Sequence, residues 1–218
     1  MNKSILLVIC FIFLAGCASH SSYDTGKFRS REFSIEKIVP NKDGLSEEQI
    51  KYITSTKPPS KFPIDVSILI MNTYVDPKIE NLLMSNAISG LKSSDKISRI
   101  TPIPKFLNPN PVNFSSIQEL GVRTLSEYII VLNLQSSDYF KSTRITSSEY
   151  EILSNIEFIL VDSKTAAIVL ADKLKSSKIY TGSVFQVGEY EKAQEEIFSE
   201  QGKLLGLKIS ELFNNVTK

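Results

Sequence analysis

Residues 128–134 read Tyr-Ile-Ile-Val-Leu-Asn-Leu, a nearly unbroken apolar and β-branched run. A strand of this kind carries apolar side chains on both faces and must be covered on both, so it predicts the centre of a sheet with other elements above and below. The surrounding sequence supplies those elements. Ile64, Val66, Ile68 and Ile70 alternate with Asp65, Ser67, Leu69 and Met71, the period of a strand with one well-buried face. Asp76-Pro77 sets a cap acceptor before a proline at the first helical position, and Ile79, Leu82, Leu83, Ala87 and Leu91 then recur at helical spacing. Lys96 to Ile103 predicts a short or edge strand, because Pro102 and Pro104 cannot donate to a central ladder. Ser115-Ser116-Ile117-Gln118 reads as a capping box opening a second helix, which Gly121 ends or interrupts.

Further on, Gln135 to Ser148 is polar with Tyr139 and Phe140 embedded, and is expected to be an exposed loop. A long alternating strand over Glu149 to Val161, a hairpin turn at Asp162-Ser163-Lys164-Thr165 and a last strand over Ala166 to Asp172 follow. The final helix, Glu189 to Phe213, carries one apolar stripe, and its Gly202 and Gly206 suit close packing on the sheet. The order β-α-β-α-β-β-β-α defines an α/β (α+β) fold: a mixed sheet of about five strands with helices on its faces.

The N-terminal segment is of another kind. Lys3 is its one charge, and Ile5 to Ala15 carries none. This run is shorter than the roughly 20 residues a spanning helix needs, and it has the form of a cleavable signal peptide over residues 1–16. It ends in Leu14-Ala15-Gly16-Cys17, which resembles the bacterial lipobox. Cleavage between Gly16 and Cys17 is expected to leave Cys17 as the first mature residue. Its sulfur would carry a thioether-linked diacylglycerol and its amine a further acyl chain such as palmitate. Cys10 lies inside the removed segment, so Cys17 has no partner and the mature chain no disulfide. Removing Lys3 from 25 basic residues leaves them balanced against 24 acidic ones. Membrane attachment must then come from acyl chains, since one chain holds only marginally and two or more hold stably. With Ala18 after the cysteine, enteric-type sorting would deliver the protein to the outer membrane, facing the periplasm. Residues 17–62 read as a polar tether closing in Lys57-Pro58-Pro59-Ser60-Lys61-Phe62-Pro63, with a short helix opened by Ser46-Glu47-Glu48-Gln49 whose Ile50 and Ile53 could dock on the domain. The folded domain occupies residues 63–218.

The same residues narrow the chemistry. His20, in the tether, is the only histidine, so Ser-His-Asp and Cys-His nucleophile systems lack an imidazole in the domain. Zinc sites draw on Cys and His and are not expected there; no metal and no cofactor beyond the lipid on Cys17 is implied. No phosphate loop, dinucleotide fingerprint or G-x-S-x-G elbow is present. Nucleic-acid binding is disfavoured by the balanced charge. Two catalytic alternatives stay open: paired carboxylates among Glu149, Glu151 and Glu157, and a Ser-Lys dyad. Candidate partner-binding residues are Phe106 and Leu107 in the proline-rich loop Ile103 to Phe114, and Tyr139 and Phe140, because exposed aromatic side chains anchor interfaces. Packing of either segment onto its own domain is the other reading.

The lipobox, Pro63-Ile64-Asp65-Val66-Ser67-Ile68-Leu69-Ile70, Leu120-Gly121-Val122 followed by Tyr128-Ile129-Ile130-Val131, and the turn Val161-Asp162-Ser163-Lys164-Thr165 together resemble a group of bacterial envelope lipoproteins. These share the fold of the TolB N-terminal domain and of the curli-secretion lipoprotein CsgG, and the pattern is nearest to the rhombotarget lipoprotein family. The resemblance spans about Phe62 to Phe213. It implies a non-enzymatic, periplasm-facing module that binds an envelope protein or assembles with itself, and it permits a ring-forming subunit of a secretion or envelope complex. The polar Gln135 to Ser148 segment lacks the alternation of a membrane-crossing hairpin, which argues against a secretion pore.

Overall fold

The computed structural model describes residues 46–55, 61–73, 76–110, 112–143, 148–182 and 188–215. Every described element belongs to the unit Phe33–Lys218. In chain order these are α1 (Glu47–Ser55), β1 (Ile64–Thr73), α2 (Pro77–Leu91), β2 (Ile97–Pro102), a 3-10 turn (Lys105–Leu107), α3 (Phe114–Thr124), β3 (Tyr128–Thr143), β4 (Ser148–Asp162), β5 (Ile168–Gly182) and α4 (Glu189–Asn215). The strands form one sheet in the order β2-β1-β3-β4-β5. β1 pairs in parallel with β2 and β3, and the β3-β4 and β4-β5 pairs are antiparallel. This is the mixed α/β architecture expected from the element order.

The central run behaves as its composition demands. Ile130, Leu132 and Leu134 of β3 face a layer made by α2 and α4, with Ile64, Val66, Ile68, Phe158, Leu160, Leu83, Leu91, Phe198, Leu205 and Phe213 in the same cluster. Ile129 and Val131 face the other way, into a cluster with Leu69, Ile103, Val112, Ile117, Leu120, Ile159 and Val161 that α3 closes. β2 and β3 lie on opposite sides of β1, so successive right-handed crossovers put α2 and α3 on opposite faces.

Helix ends follow local chemistry. Asp76 caps α2 by accepting from the Lys78 N–H at 2.7 Å, with Pro77 at the first helical position. The box opening α3 is formed by Asn113 and Ser116, where the sequence suggested Ser115 and Gln118. Asn113 has the extended backbone a cap needs and accepts from the Ser116 N–H at 2.8 Å, whereas the Gln118 amide donates to the Lys164 carbonyl. The helix runs through Gly121, whose bare Cα faces Ser163, and stops at Leu125 in the left-handed conformation, φ 54° and ψ 43°. α1 has the expected place and leaves Ile50 and Tyr52 exposed, while the Ile53 side chain is outside the described residues.

Three expectations need correction. Of the segment Gln135 to Ser148, residues 144–147 lie outside the described residues, and the part up to Thr143 is strand and not loop: β3 continues to Thr143 and pairs with β4, from Gln135 opposite Asn155 to Thr143 opposite Ser148. Its polar residues read as loop because one face of this stretch is open to solvent. β5 runs ten residues past Asp172, to Gly182, for the same reason: its Lys173, Lys175 and Ser177 point outward between half-buried Leu174, Ser176 and Lys178. Gly202 and Gly206 pack on α2 and not on the sheet: a Cβ on Gly202 would lie 2.6 Å from the Leu83 carbonyl oxygen.

Candidate functional site

The outer half of β3-β4-β5 is unlike the rest of the sheet. Pairing between β1 and β3 ends with Thr73 opposite Leu134, so from Gln135 to Thr143 β3 has β4 as its one strand neighbour among the described residues. An edge of this length exposes unpaired N–H and C=O groups in alternation and is a template for another strand. The edge on the other side is β5, and it carries Lys173, Lys175 and Lys178, the charges by which natural edges resist pairing. The β3 edge has a shorter defence in Asp138 and Lys141.

The two faces of this half differ as well. On the α4 side, Ile152 packs with Ala193 and Ile197. Tyr150 stacks on Tyr180 at 5.3 Å, Tyr180 meets Tyr190 edge-on at 5.6 Å, and Gln194 donates to the Tyr190 hydroxyl at 2.7 Å. Burial, with the Asp138 carboxylate next in weight, raises the Tyr180 phenol to about 12 and moves Tyr190 in the same direction. Both stay neutral at physiological pH, as a packed aromatic cluster requires. On the opposite side α3 stops short. Here Tyr139, Glu151 and Ile179 form one row across three strands, and Leu153 lies one pleat further in, between Ser137 and Ser177. Tyr139 and Ile179 are each 55% exposed and Leu153 is 37% exposed. Glu151, in the middle of the row between Tyr139 and Ile179, is paired with Lys141 at 2.8 Å. The result is a mixed surface patch, with exposed Tyr139, Leu153 and Ile179 around the Lys141–Glu151 ion pair, on a half-sheet pinned from behind by tyrosines.

The residues singled out from the sequence divide unevenly over this geometry. Tyr139 belongs to the patch, on a strand and not on a loop. Phe140 follows it in β3, and its side chain is outside the described residues, as are Gly16, Cys17 and His20. Phe106 and Leu107 lie elsewhere, in the 3-10 turn after β2, exposed by 84% and 42%. Leu153 and Ile179 were missed. Their signal was present in the strand alternation, since both fall on the solvent phase of otherwise polar segments.

Each of the three acids singled out from the sequence is held by a neighbouring strand's side chain. Glu149, Glu151 and Glu157 share the open face of β4, as their even spacing dictates. Hydrogen bonds from Lys141 and then Ser177 hold the Glu151 carboxyl below its ordinary range, the wrong direction for a general acid. Glu157 accepts from Asn133 Nδ2 and Glu149 from Ser142. A cluster of buried hydroxyls occurs at the other end of the sheet. Ser67 lies 2.6 Å from the Ser126 hydroxyl and donates to Thr124, while Ser163 donates to the Ser126 carbonyl. These groups satisfy one another and tie α3 to β1 and to the β4-β5 turn. Among the described residues no three His, Cys, Asp or Glu are grouped to hold a metal, and no helix is long and apolar enough to cross a membrane.

No protein-family model matches the chain, and no curated protein matches it. Solved structures resemble it at low overlap. A minor lipoprotein from Acinetobacter baumannii is 10% identical with a TM-score of 0.44, over 69% of this chain and 94% of that one. The rare lipoprotein B from Shewanella oneidensis is 10% identical at 0.41, over 71% and 99%. The PelC dodecamer from Paraburkholderia phytofirmans is 11% identical at 0.38, over 70% and 91%. Overlaps at this level assign neither an activity nor a partner to this chain.

Proposed function

We propose that the chain is a lipid-anchored protein of the bacterial envelope, of the TolB N-terminal and CsgG type, that acts by binding protein and not by catalysis, with a second copy of itself as the first partner. The anchor rests on the h-region and Leu14-Ala15-Gly16-Cys17, with Ala18 favouring the outer membrane and the periplasmic side. The observation that carries the binding role is the open outer half of β3-β4-β5. Tyr139, Leu153 and Ile179 offer exposed apolar contacts around the Lys141–Glu151 ion pair, a mixture of aromatic and polar groups suited to a protein interface. Beyond Gln135, β3 has no strand neighbour but β4 among the described residues, and an incoming strand there would add main-chain hydrogen bonding.

Self-association is favoured by the unequal edges of the sheet. The sheet ends in β2 and β5, and β3 adds a further edge where it outruns β1, so contact between the β3 edge of one copy and the β5 edge of the next is head to tail, and such contacts close into rings or extend as filaments. A ring-forming subunit is thus the preferred form of the proposal, and a hydrolase the least supported alternative.

Two measurements on the intact lipoprotein test the reading. Cys17→Ser should move the protein from the membrane fraction to the soluble or unprocessed one; normal processing with membrane retention would refute the anchor. The native mass in detergent should correspond to one defined oligomer. A monomer at all concentrations would remove self-assembly.

A further inference from the structure

The end of the domain where the tether joins carries a second apolar feature that the interaction surface does not use. Val122 and Leu125 are 71% and 73% exposed, adjacent on the last turn of α3 and linked by the Leu125 N–H donating to the Val122 carbonyl. Leu125 also holds the left-handed backbone in which glycine or asparagine would sit at lower cost. This leucine thus presents its whole side chain to solvent from a backbone that does not favour it.

Its place in the molecule says what that is. Arg99 of β2 donates to the Leu125 carbonyl at 2.8 Å and to the Thr124 carbonyl at 3.2 Å, and the same guanidinium pairs with Asp65 at 2.7 Å. The Glu127 N–H donates to the Asp65 carbonyl, and the Asp65 N–H to the Glu127 carboxylate. Asp65 is three residues past Phe62, where the tether ends. The exposed pair is thus one guanidinium away from the start of β1, the first strand after the tether in sequence. Arg99 and Arg123 flank the pair, each already joined to a carboxylate, Arg99 to Asp65 and Arg123 to Glu119 at 2.6 Å, so the contact rests on the two apolar side chains and on their place beside the start of β1. Phe106 lies toward the other end of β1, next to residues bonded to Ile68 and Ile70.

We infer that Val122 and Leu125 dock this end of the domain on the phospholipid bilayer that holds the acyl anchor, the two side chains entering the headgroup boundary between Arg99 and Arg123. This rests on the lipid-anchor reading, which confines the domain near a bilayer and so lets two apolar side chains suffice. The open face of β3-β4-β5 then remains free for protein.

The chain has no tryptophan, so single tryptophans report without interference. Val122→Trp and Phe106→Trp lipoproteins are placed in vesicles of phosphatidylethanolamine and phosphatidylglycerol with and without brominated acyl chains. The expected result is at least twofold quenching at position 122, little at 106, and loss of the quenching when Leu125→Asp is added. Equal quenching at both positions, none at 122, or persistence with Leu125→Asp overturns the docking. A concentration-dependent blue shift at 122 without lipid shows that protein covers the pair, and overturns it too. Mass measurement of the mature N-terminus, together with the same quenching on Cys17→Ser protein mixed with the vesicles, separates failure of the anchor from failure of the contact.

Discussion

Gly90 of α2 and Gly206 of α4 stand back to back: a Cβ on Gly90 would lie 2.9 Å from the Gly206 Cα, and one on Gly206 2.7 Å from the Gly90 Cα. The two helices that cover one face of the sheet therefore touch through their backbones. This contact sets the depth at which Phe198, Leu205, Ile209 and Phe213 reach β1, β3 and β4. Helix propensity alone favours alanine over glycine by about 1 kcal/mol, so the contact must outweigh that preference.

Gly206→Ala should accordingly destabilise the fold by about 2–3 kcal/mol in urea unfolding, because neither neighbouring backbone can yield without lifting α4 from α2. Leu207→Ala, on the exposed side of the same turn, should change the midpoint little. A Gly206→Ala protein as stable as the parent would show that the helices are free to separate.

Gln201 is the polar counterpart of this contact. It is 1% exposed, its Oε1 accepts from the Ser154 hydroxyl at 2.6 Å, and its Nε2 donates to the Leu174 carbonyl at 3.3 Å. Gln201→Leu keeps the volume and strands those partners, so a loss of about 2 kcal/mol is expected. Adding Ser154→Ala should recover part of the loss, and a double-mutant cycle with no coupling would contradict the pairing.

Alkaline stability should report the buried phenols. Burial, followed by the Asp162 and Glu127 carboxylates, raises Tyr128 to about 12, and Tyr180 is raised to about 12 chiefly by burial. Both folded-state values exceed the ordinary 10, so the neutral phenols contribute stability that is complete below pH 10 and is lost as the pH rises from 10 to 12. The urea midpoint should fall over that window, and Tyr128→Phe should flatten the fall. An unchanged slope in the variant would show that Tyr128 ionises freely in the folded protein.

Leu125 offers a test of strain against function. Leu125→Asn relieves the left-handed backbone and should raise stability by a few tenths of a kcal/mol to about 1 kcal/mol. Thermal unfolding at fixed concentration decides it, and a decrease would mean that the leucine packs on its own domain.

What could be read from the sequence follows physical lines. β1, the inner half of β3, α2 with its Asp76 cap and the Asp162 turn were legible because burial on one or both faces writes a strict period into the residues. The outer half of β3 and the second half of β5 were not, because a strand open on one face keeps its alternation in small and polar side chains such as Ser137, Lys173, Lys175 and Ser177. Tyr139 was legible as an exposed aromatic but placed on a loop. Its neighbours Leu153 and Ile179 join it through pairings of β4 with β3 and β5, which no local pattern records. The contact between α2 and α4 was half legible: the glycines announced a close approach, and only the tertiary structure names the partner.

The most direct test of the central proposal is the native mass of the detergent-solubilised lipoprotein, determined for the parent and for a Tyr139→Asp/Ile179→Asp double variant. Both substitutions lie on the exposed patch and should leave folding intact, as the far-ultraviolet spectrum would verify. A single defined oligomer for the parent that falls to a monomer in the variant is the predicted result. A parent that is monomeric, or an oligomer that survives both charges, would contradict assembly through the open half of β3-β4-β5.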